Sequence, residues 1–506
     1  MVVVFNFGGQ YAHLIARRVR ELGVKSELVN PDITVADLQK LSPQALIFSG
    51  SPFSCYQKGA PKIDLRIYKL GLPILGICYG QQLMAHQLGG KVSNHSSKQF
   101  GRETLETKSS PLFSGLSKSQ IVWFSHGDQV DKVPAGFKII ARTKNAPVAA
   151  MQNQQARFYG IQFHPEVVHT PNGMKILSNF LFNIAKANKD WSLPKIKDEI
   201  ADNLKVQIGK DKVIMAISGG VDSLVAATLI KLAIGSNLHL LFIDTGLLRK
   251  NEVSEVQKIV KSVGFKNLKT VDTSKTFLSA LKDITDPEEK RQIIAKLYFK
   301  VFEDEAIKNP HFKFLGQGTI YPDRIESAEP TKHADKIKSH HNVTLPSGLK
   351  LKLVEPLAEF YKDEVRKIGK LLGISQQYLN RHPFPGPGLA IRVLGEVTQE
   401  RLNILKEADY IFIDELKKNN IYNKVGQSLA ALLPVKSVGV MGDARTYSYI
   451  IALRSVDTAD FMTADWSKIP NEILEKISSR IVNEVRGVNR VVYDITQKPP
   501  ATIEYE

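Results

Sequence analysis

Cysteine is almost absent, with Cys55 and Cys78 the two thiols in 506 residues. Two thiols cannot staple a chain of this size, so a disulfide scaffold is excluded and a reducing cytoplasm is the expected setting. Long apolar runs are missing as well. No stretch approaches the roughly 18 residues of a membrane span, and no membrane partner is expected. The opening MVVVFNFGGQ has neither a basic n-region nor a small-residue cleavage site, so it does not read as a signal peptide. An unbroken basic tract is also lacking, although the formal charge is +17. The lysines are dispersed, as at Lys258, Lys261, Lys266 and Lys269. Dispersed charge suits anionic small molecules, and no nucleic-acid partner is expected. The remaining composition, 43% hydrophobic and 24% charged, is that of a globular protein. The length suggests two to four domains.

The chain is organised around residues 212–233, KVIMAISGGVDSLVAATLIKLA. Residues 213–217 read as a buried strand and the apolar run after Ser223 as a helix. Between them stand Ser218, Gly219, Gly220, Val221, Asp222 and Ser223. A strand, a glycine-rich turn and a helix N-terminus make an anion site, because free N–H groups and the helix dipole point at the ligand. The spacing is not Walker A, since no lysine follows the second glycine. Asp222 stands where a plain phosphate cradle avoids an acid, which makes sense if a divalent cation, Mg²⁺, bridges it to phosphate. SGGVDS resembles the pyrophosphate loop of N-type ATP pyrophosphatases, which adenylylate a substrate oxygen.

Before this stretch, residues 2–7, 45–48 and 73–77 read as buried strands alternating with helices at about 11–22 and 81–88. That alternation predicts a doubly wound parallel sheet. Cys78 lies at a strand-to-helix junction in G-x-C-x-G, where flanking glycines permit the sharp turn that presents a nucleophile. The helix N-terminus behind it favours the thiolate. Downstream, FHPE sets His164 and Glu166 two apart around a proline, a spacing that suits a base and its orienting carboxylate. GICYGQQLMAHQLGG and YGIQFHPEV resemble the class I glutamine amidotransferases. That resemblance implies a Cys78, His164, Glu166 triad and an oxyanion hole of the Tyr79 and Ser51 backbone N–H groups. Ser51 stands in SGSP where the family usually has a second glycine. NFGGQY likewise departs from the usual DFGSQY at Asn6 and Gly9. SHGD, residues 125–128, matches a motif near the family's glutamine site, though alone it reads as a turn.

Residues 188–194 read as a linker. Past the phosphate loop, residues 238–244, 268–272 and 312–315 are further strands, with Asp244 and Arg249 at a C-terminal strand end where open α/β sheets bind ligands. DPEEKR, from Asp286, reads as a capped helix start. KSHHNV, from Lys338, reads as a loop reaching for phosphate more readily than as a zinc site, since no partners stand at zinc spacing. Lys362 to Arg366 read as a solvated helix face. HPFPGPGLAIR, residues 382–392, is too rich in proline to be helix or central strand. Residues 395–506 read as strand, strand, helix and strand after a helix at 399–418, a small α+β module.

SGGVDS, GQGTIYPD, KSHHNV, HPFPGPGLAIR, SVGVMGDARTY and TQKPPATIEYE together resemble the glutamine-hydrolysing GMP synthase family over nearly the whole chain. The resemblance implies two doubly wound parallel-sheet domains followed by a small α+β domain. Its parts are a glutaminase at 1–188, an adenylylating ATP pyrophosphatase at 189–388, and a dimerisation and XMP-completing domain at 389–506. It implies ATP, XMP and glutamine as substrates, Mg²⁺ with ATP, and a cytoplasmic homodimer. Loop residues 218–223 are expected to hold pyrophosphate. Arg249, Pro385, Gly386, Pro387, Asp443, Lys498 and Glu504 are expected at XMP, and Lys338 and His340 in a lid. Two other classes stay open, a loop enzyme acting on tRNA and a non-catalytic glutamine sensor. NAD synthetase shares the loop but should lack the KPPATIE tail.

Overall fold

A computed structural model of the chain describes residues 1–323, 351–441, 444–458 and 463–506. It divides into two compact units, Met1–Ser192 and Leu193–Glu506. Among the described residues no helix is long and apolar enough to cross a membrane.

The first unit is built on one nine-stranded sheet, in the order β2-β1-β3-β4-β9-β8-β7-β5-β6. The strands are β1 (Val2–Phe5), β2 (Ser26–Val29), β3 (Ala45–Phe48), β4 (Ile74–Ile77), β5 (Lys91–Thr107), β6 (Ser119–Lys132), β7 (Lys138–Arg142), β8 (Ala150–Asn153) and β9 (Phe158–Ile161). Strands β2, β1, β3, β4 and β9 run parallel. All four residues of β1, β3, β4 and β9 are buried, because helices cover both faces of a parallel sheet. That is why these strands read as continuous apolar runs. Beyond β9 the sheet turns antiparallel through β8, β7, β5 and β6. The doubly wound reading did not include this half. Its long strand β6 alternates exposed and buried positions, so it lacks the uniform apolar signal. The helix Ala12–Glu21 ends at Gly23, whose φ of 85° lets Val24 N–H reach back to the Val19 carbonyl. Asp190 fixes the end of the unit, accepting from Lys25 N–H at 2.6 Å and from the N-terminal ammonium at 3.0 Å.

The second unit carries a five-stranded sheet, β12-β11-β10-β13-β14. These are β10 (Lys212–Ala216), β11 (Leu238–Asp244), β12 (Leu268–Asp272), β13 (Phe312–Gly316) and β14 (Lys352–Val354). All are parallel, so the strand order reverses beside β10, the position at which such sheets bind ligands. Toward the C-terminus, the helix Gln399–Lys418 packs on β15 (Gln427–Met441) and β16 (Ala444–Asp457). The antiparallel β15–β16 pair is followed by β17 (Asp465–Trp466), the helix Asn471–Glu484, and β18 (Val488–Asp494), which runs parallel to β16. One apolar cluster joins Leu247, Phe277 and Ile294 to Leu405, Phe412, Ile451 and Ile477. The proline-rich segment is not wholly irregular, since Gly388–Ile391 form one 3-10 turn. Gly388, with φ 64°, permits it: a Cβ there would sit 2.4 Å from the Leu247 carbonyl oxygen, to which Leu389 N–H donates at 2.7 Å.

Candidate active sites

In the first unit Cys78 ends β4 and caps the helix Tyr79–Gln87 with φ 54° and ψ −108°. A non-glycine residue held there costs about 1–3 kcal/mol and persists only if its surroundings over-determine it. They do. Cys78 N–H donates to the Ile161 carbonyl at 2.8 Å and Gly80 N–H to the Ser49 carbonyl at 3.0 Å. A Cβ on Gly76 would lie 2.6 Å from Gly80, and one on Gly80 only 2.3 Å from the Phe48 carbonyl oxygen. Both glycines of G-x-C-x-G are therefore required by close approach.

His164 and Glu166 are both buried, and His164 Nδ1 lies 2.7 Å from Glu166 Oε1. The carboxylate fixes the tautomer, leaving Nε2 for the thiol. Burial disfavours an imidazolium here, but Glu166 and the hydrogen bond with Cys78 outweigh it and raise the His164 pKa well above the ordinary imidazole value. The Glu166 carbonyl accepts from Arg18 Nε at 2.9 Å, and Thr170 Oγ1 donates to the His164 carbonyl at 2.6 Å. The three residues thus meet as a thiol, a base and an orienting acid. Tyr79 turns its hydroxyl away, donating to the Pro61 carbonyl at 2.5 Å, so what it offers near Cys78 is its backbone N–H. Among the described residues neither Tyr79 N–H nor Ser51 N–H donates to a backbone carbonyl.

SHGD is strand, not turn, because residues 125–128 lie within β6. His126 Nδ1 sits 2.9 Å from the Asp128 carbonyl oxygen, which can only accept, so Nδ1 carries the proton and Nε2 is a bare lone pair. Nε2 is buried without a partner, and burial pushes the His126 pKa down to about 4. Asp128 Oδ1 accepts from Asn94 Nδ2 at 2.8 Å and Tyr56 hydroxyl at 3.2 Å. Gln162, which sequence reasoning passed over, places Nε2 3.7 Å from Cys78 Sγ. It lies within YGIQFHPEV, two residues before His164, but its place beside the thiol emerges only when β9 pairs with β4. Cys55 is buried, and its thiol pKa is raised to about 11 by burial, in keeping with a core residue.

In the second unit residues 217–220 leave β10 and enter the helix Val221–Ile234. Gly219 has φ 77°, and a Cβ on it would strike Val256 at 2.6 Å. Ser218 and Ser223 brace the turn, Oγ to Oγ at 3.2 Å, and Ser223 Oγ donates to the Gly220 carbonyl at 3.1 Å. The GQGT turn closes over it, with a Cβ on Gly318 only 2.9 Å from Ser223 N. Lys362 is no merely solvated face residue: its ammonium pairs with Asp222 Oδ2. Asp222 Oδ1 is buried without a hydrogen-bond partner, as are Gln317 Oε1 and Thr319 Oγ1. Among the described residues no three His, Cys, Asp or Glu gather to hold a metal. A divalent cation here would need phosphate oxygens as further ligands, and the spare Asp222 oxygen fits that demand.

Arg249 Nε lies 3.1 Å from Asp409 Oδ2, and its guanidinium stacks over Phe384, 5.0 Å from the ring centre. The Arg392 guanidinium also lies over Phe384, 5.2 Å from the ring centre, so two arginines contact the PFPGPG segment that carries Pro385, Gly386 and Pro387. Glu504 binds fully buried Arg392 with two bonds of 2.8 Å and accepts from Gln427 Nε2 at 2.8 Å. Asp286 caps its helix as expected, accepting from Glu289 N–H at 2.8 Å, while Lys290 in the same DPEEKR segment is fully buried and pairs with Glu506. Lys498 pairs its backbone with Ala464. His382 stacks on Tyr422 at 3.8 Å, and burial lowers its pKa to about 4. Lys338, His340 and Asp443 lie outside the described residues.

Comparison with known proteins gives three family matches: glutamine amidotransferase class-I at residues 3–184, NAD synthase at 193–299, and GMP synthase C terminal domain at 414–505. A GMP synthase [glutamine-hydrolyzing] of Aquifex aeolicus is 54% identical over 507 residues, covering 100% of this chain and 99% of its own. Proteins of the same name from Thermosipho melanesiensis and Carboxydothermus hydrogenoformans are each 53% identical, with 100% and 99% coverage.

Proposed function

This chain belongs to the glutamine-hydrolysing GMP synthases, and from that premise we propose which of its residues carry each step. It is a carbon–nitrogen ligase that makes GMP from XMP, taking nitrogen from glutamine and energy from ATP. The match to the GMP synthase C terminal domain separates it from NAD synthetase, which shares only the loop-bearing part.

The Cys78 thiolate attacks the glutamine carboxamide, and the His164 imidazolium gives its proton to departing ammonia. The Tyr79 and Ser51 N–H groups face the oxyanion. Water then releases glutamate from the thioester. In the second unit the XMP C2 oxygen attacks the ATP α-phosphorus and pyrophosphate leaves into the loop of Ser218, Gly219, Gly220, Val221, Asp222 and Ser223. Ammonia adds at C2 and AMP departs, giving GMP. ATP-dependent synthetases of this kind work with a divalent cation; Mg²⁺ held by Asp222 and phosphate oxygens would neutralise charge on the leaving pyrophosphate. Lys362, already on Asp222, adds a second positive charge there. Arg249, Pro385 to Pro387 and Lys498 face XMP, joined by Asp443, while Glu504 holds the tail through Arg392. Lys338 and His340 form the lid.

We assign the three parts to 1–188, 189–388 and 389–506, and we expect a cytoplasmic homodimer. Exposed Val435, Val438 and Val440 on β15, with Tyr447 on β16, give an apolar surface suited to a second copy. The observation that carries the reading is the buried Glu166–His164 pair set at Cys78 in a chain that also bears the SGGVDS loop. The test is AMP release from Mg-ATP with and without XMP, using glutamine or ammonium. Release with either nitrogen source, and only with XMP, is expected. Stimulation by nicotinate dinucleotide or tRNA in place of XMP would overturn it.

A further inference from the structure

Two loops meet beside Cys78, and their contact turns on Gly9 and Ser51, the two positions where this chain departs from the resembling motifs in opposite senses. Gly9 lies flat on the turn of residues 49–51. A Cβ built on it would stand 2.3 Å from the Gly50 carbonyl oxygen, 2.6 Å from its carbon and 3.2 Å from Ser51 N. Its backbone does not adopt positive φ, so the turn itself, not conformation, excludes a side chain. Ser51 fills the neighbouring space. Its Oγ donates to the Phe7 carbonyl at 2.8 Å and accepts from Phe53 N–H at 3.3 Å. Ser49 adds a parallel tie, accepting from Phe7 N–H at 3.3 Å. The same stack continues to the base: a Cβ on Gly50 would be 3.6 Å from His164 Cε1, and the Tyr11 ring meets the His164 ring edge-on at 5.0 Å.

We propose that the Ser51 hydroxyl is a positioning group for glutamine hydrolysis and that residues 9 and 51 act as one unit. The hydroxyl at 51 ties the oxyanion turn to the strand-to-helix loop of residues 7–11, and that tie requires an empty position 9. This rests on the reading in which the Ser51 N–H faces the oxyanion. Such a donor is effective only when held in place before charge develops, because a turn that must reorganise loses the advantage. A glycine at 51 keeps the N–H but loses the tie; a side chain at 9 meets the Gly50 carbonyl and pushes the turn away.

The test uses the full chain and the ratio of glutamine-supported to ammonium-supported AMP release, which normalises for the folded second unit. Ser51→Ala should lower the ratio about tenfold, in kcat more than in KM, and Ser51→Thr, which keeps a hydroxyl, should recover most of it. Gly9→Ser should lower it about a hundredfold, the scale of losing one oxyanion donor. The double variant Gly9→Ser with Ser51→Gly should exceed Gly9→Ser alone, since the untied glycine turn can move aside. Equal ratios for wild type and Ser51→Ala, or a double variant no better than Gly9→Ser alone, would overturn the coupling while the function stands. A wild-type chain with no glutamine-supported turnover would instead remove the triad reading and this inference with it. Should Gly9→Ser fail to fold, the Ala and Thr pair at 51 decides alone.

Discussion

Replacing Glu166 with glutamine preserves the shape of the contact at His164 and removes its charge. Both side chains are buried, so water cannot substitute for the lost carboxylate. At a charge separation of roughly 4 Å and an effective dielectric of about 20, the attraction is about 4 kcal/mol. Losing even half of it lowers the imidazole pKa by about 1.5 units. Burial, the largest influence on His164 and one that disfavours its charged form, is then opposed chiefly by Cys78. The amide can also turn its NH2 toward Nδ1 and force the wrong tautomer. A loss of about 2–4 kcal/mol at the transition state gives a fall of about 30- to 1000-fold in kcat for glutamine. Glutamate release measures it, with ammonium-supported AMP release as the folding control. Stability supplies an independent readout. Because the folded pKa of His164 is raised, the stability its pair contributes is complete below about pH 6.5 and fades as pH climbs toward about 10. Glu166→Gln lacks most of that contribution. The gap in melting temperature between wild type and variant should therefore be widest near pH 6 and narrow steadily in alkali. A glutamine rate within about threefold of wild type, or a gap that stays constant with pH, would refute the electrostatic account.

Gly80→Ala places a methyl group 2.3 Å from the Phe48 carbonyl oxygen. Overpacking of this kind costs about 1–3 kcal/mol, so a lowered denaturant midpoint and loss of glutamate release are expected together. Glu504→Ala leaves fully buried Arg392 with a long 3.8 Å approach to Asp409 and the Phe384 ring in place of its two carboxylate bonds. Breaking a buried pair from one side costs about 3–5 kcal/mol, which chemical denaturation should register as early unfolding of the second unit. His126 and His382, both held down to about 4 by burial, take up protons in mild acid only when the chain unfolds, so acid favours unfolding. The stability they hold above about pH 6.5 should drain as pH falls toward 4, and His382→Gln should flatten that part of the pH–melting curve.

The sequence was most legible where one residue type answers one physical demand. Buried parallel strands such as β1 and β4 are uninterrupted apolar runs, and the helix Gln399–Lys418 starts at a capping Thr398 and stops at Asn419. Cys78, His164 and Glu166 stood out because glycines and a proline frame them. Less was legible where tertiary pairing decides. Strand β6 mixes polar and apolar residues because one face is exposed, and it absorbed SHGD, which locally looks like a turn. Lys362 begins a helix with acids beside it, so local ion pairs were the simple reading. Its partner Asp222 is 140 residues away, and only the fold brings them together. Lys290 and Glu506, 216 residues apart, are hidden in the same way.

The two candidate sites solve one problem in different ways. Each needs backbone N–H groups at the start of a helix to face a ligand, so each needs the chain to leave a buried strand through an abrupt turn. In the phosphate loop a glycine, Gly219, takes the positive φ of 77°, and the backbone itself is the binding surface. At the thiol the positive φ, 54°, falls on Cys78, and flanking glycines absorb the crowding. The difference follows from what each site must present. A leaving pyrophosphate needs donors and room, which glycine gives, whereas an acyl acceptor needs a side chain at the apex of the turn. Strain at Cys78 therefore cannot be relieved by substituting glycine there without deleting the nucleophile, while strain at Gly219 cannot be increased by adding a side chain without striking Val256. Glycine is thus required at the apex in one site and beside it in the other.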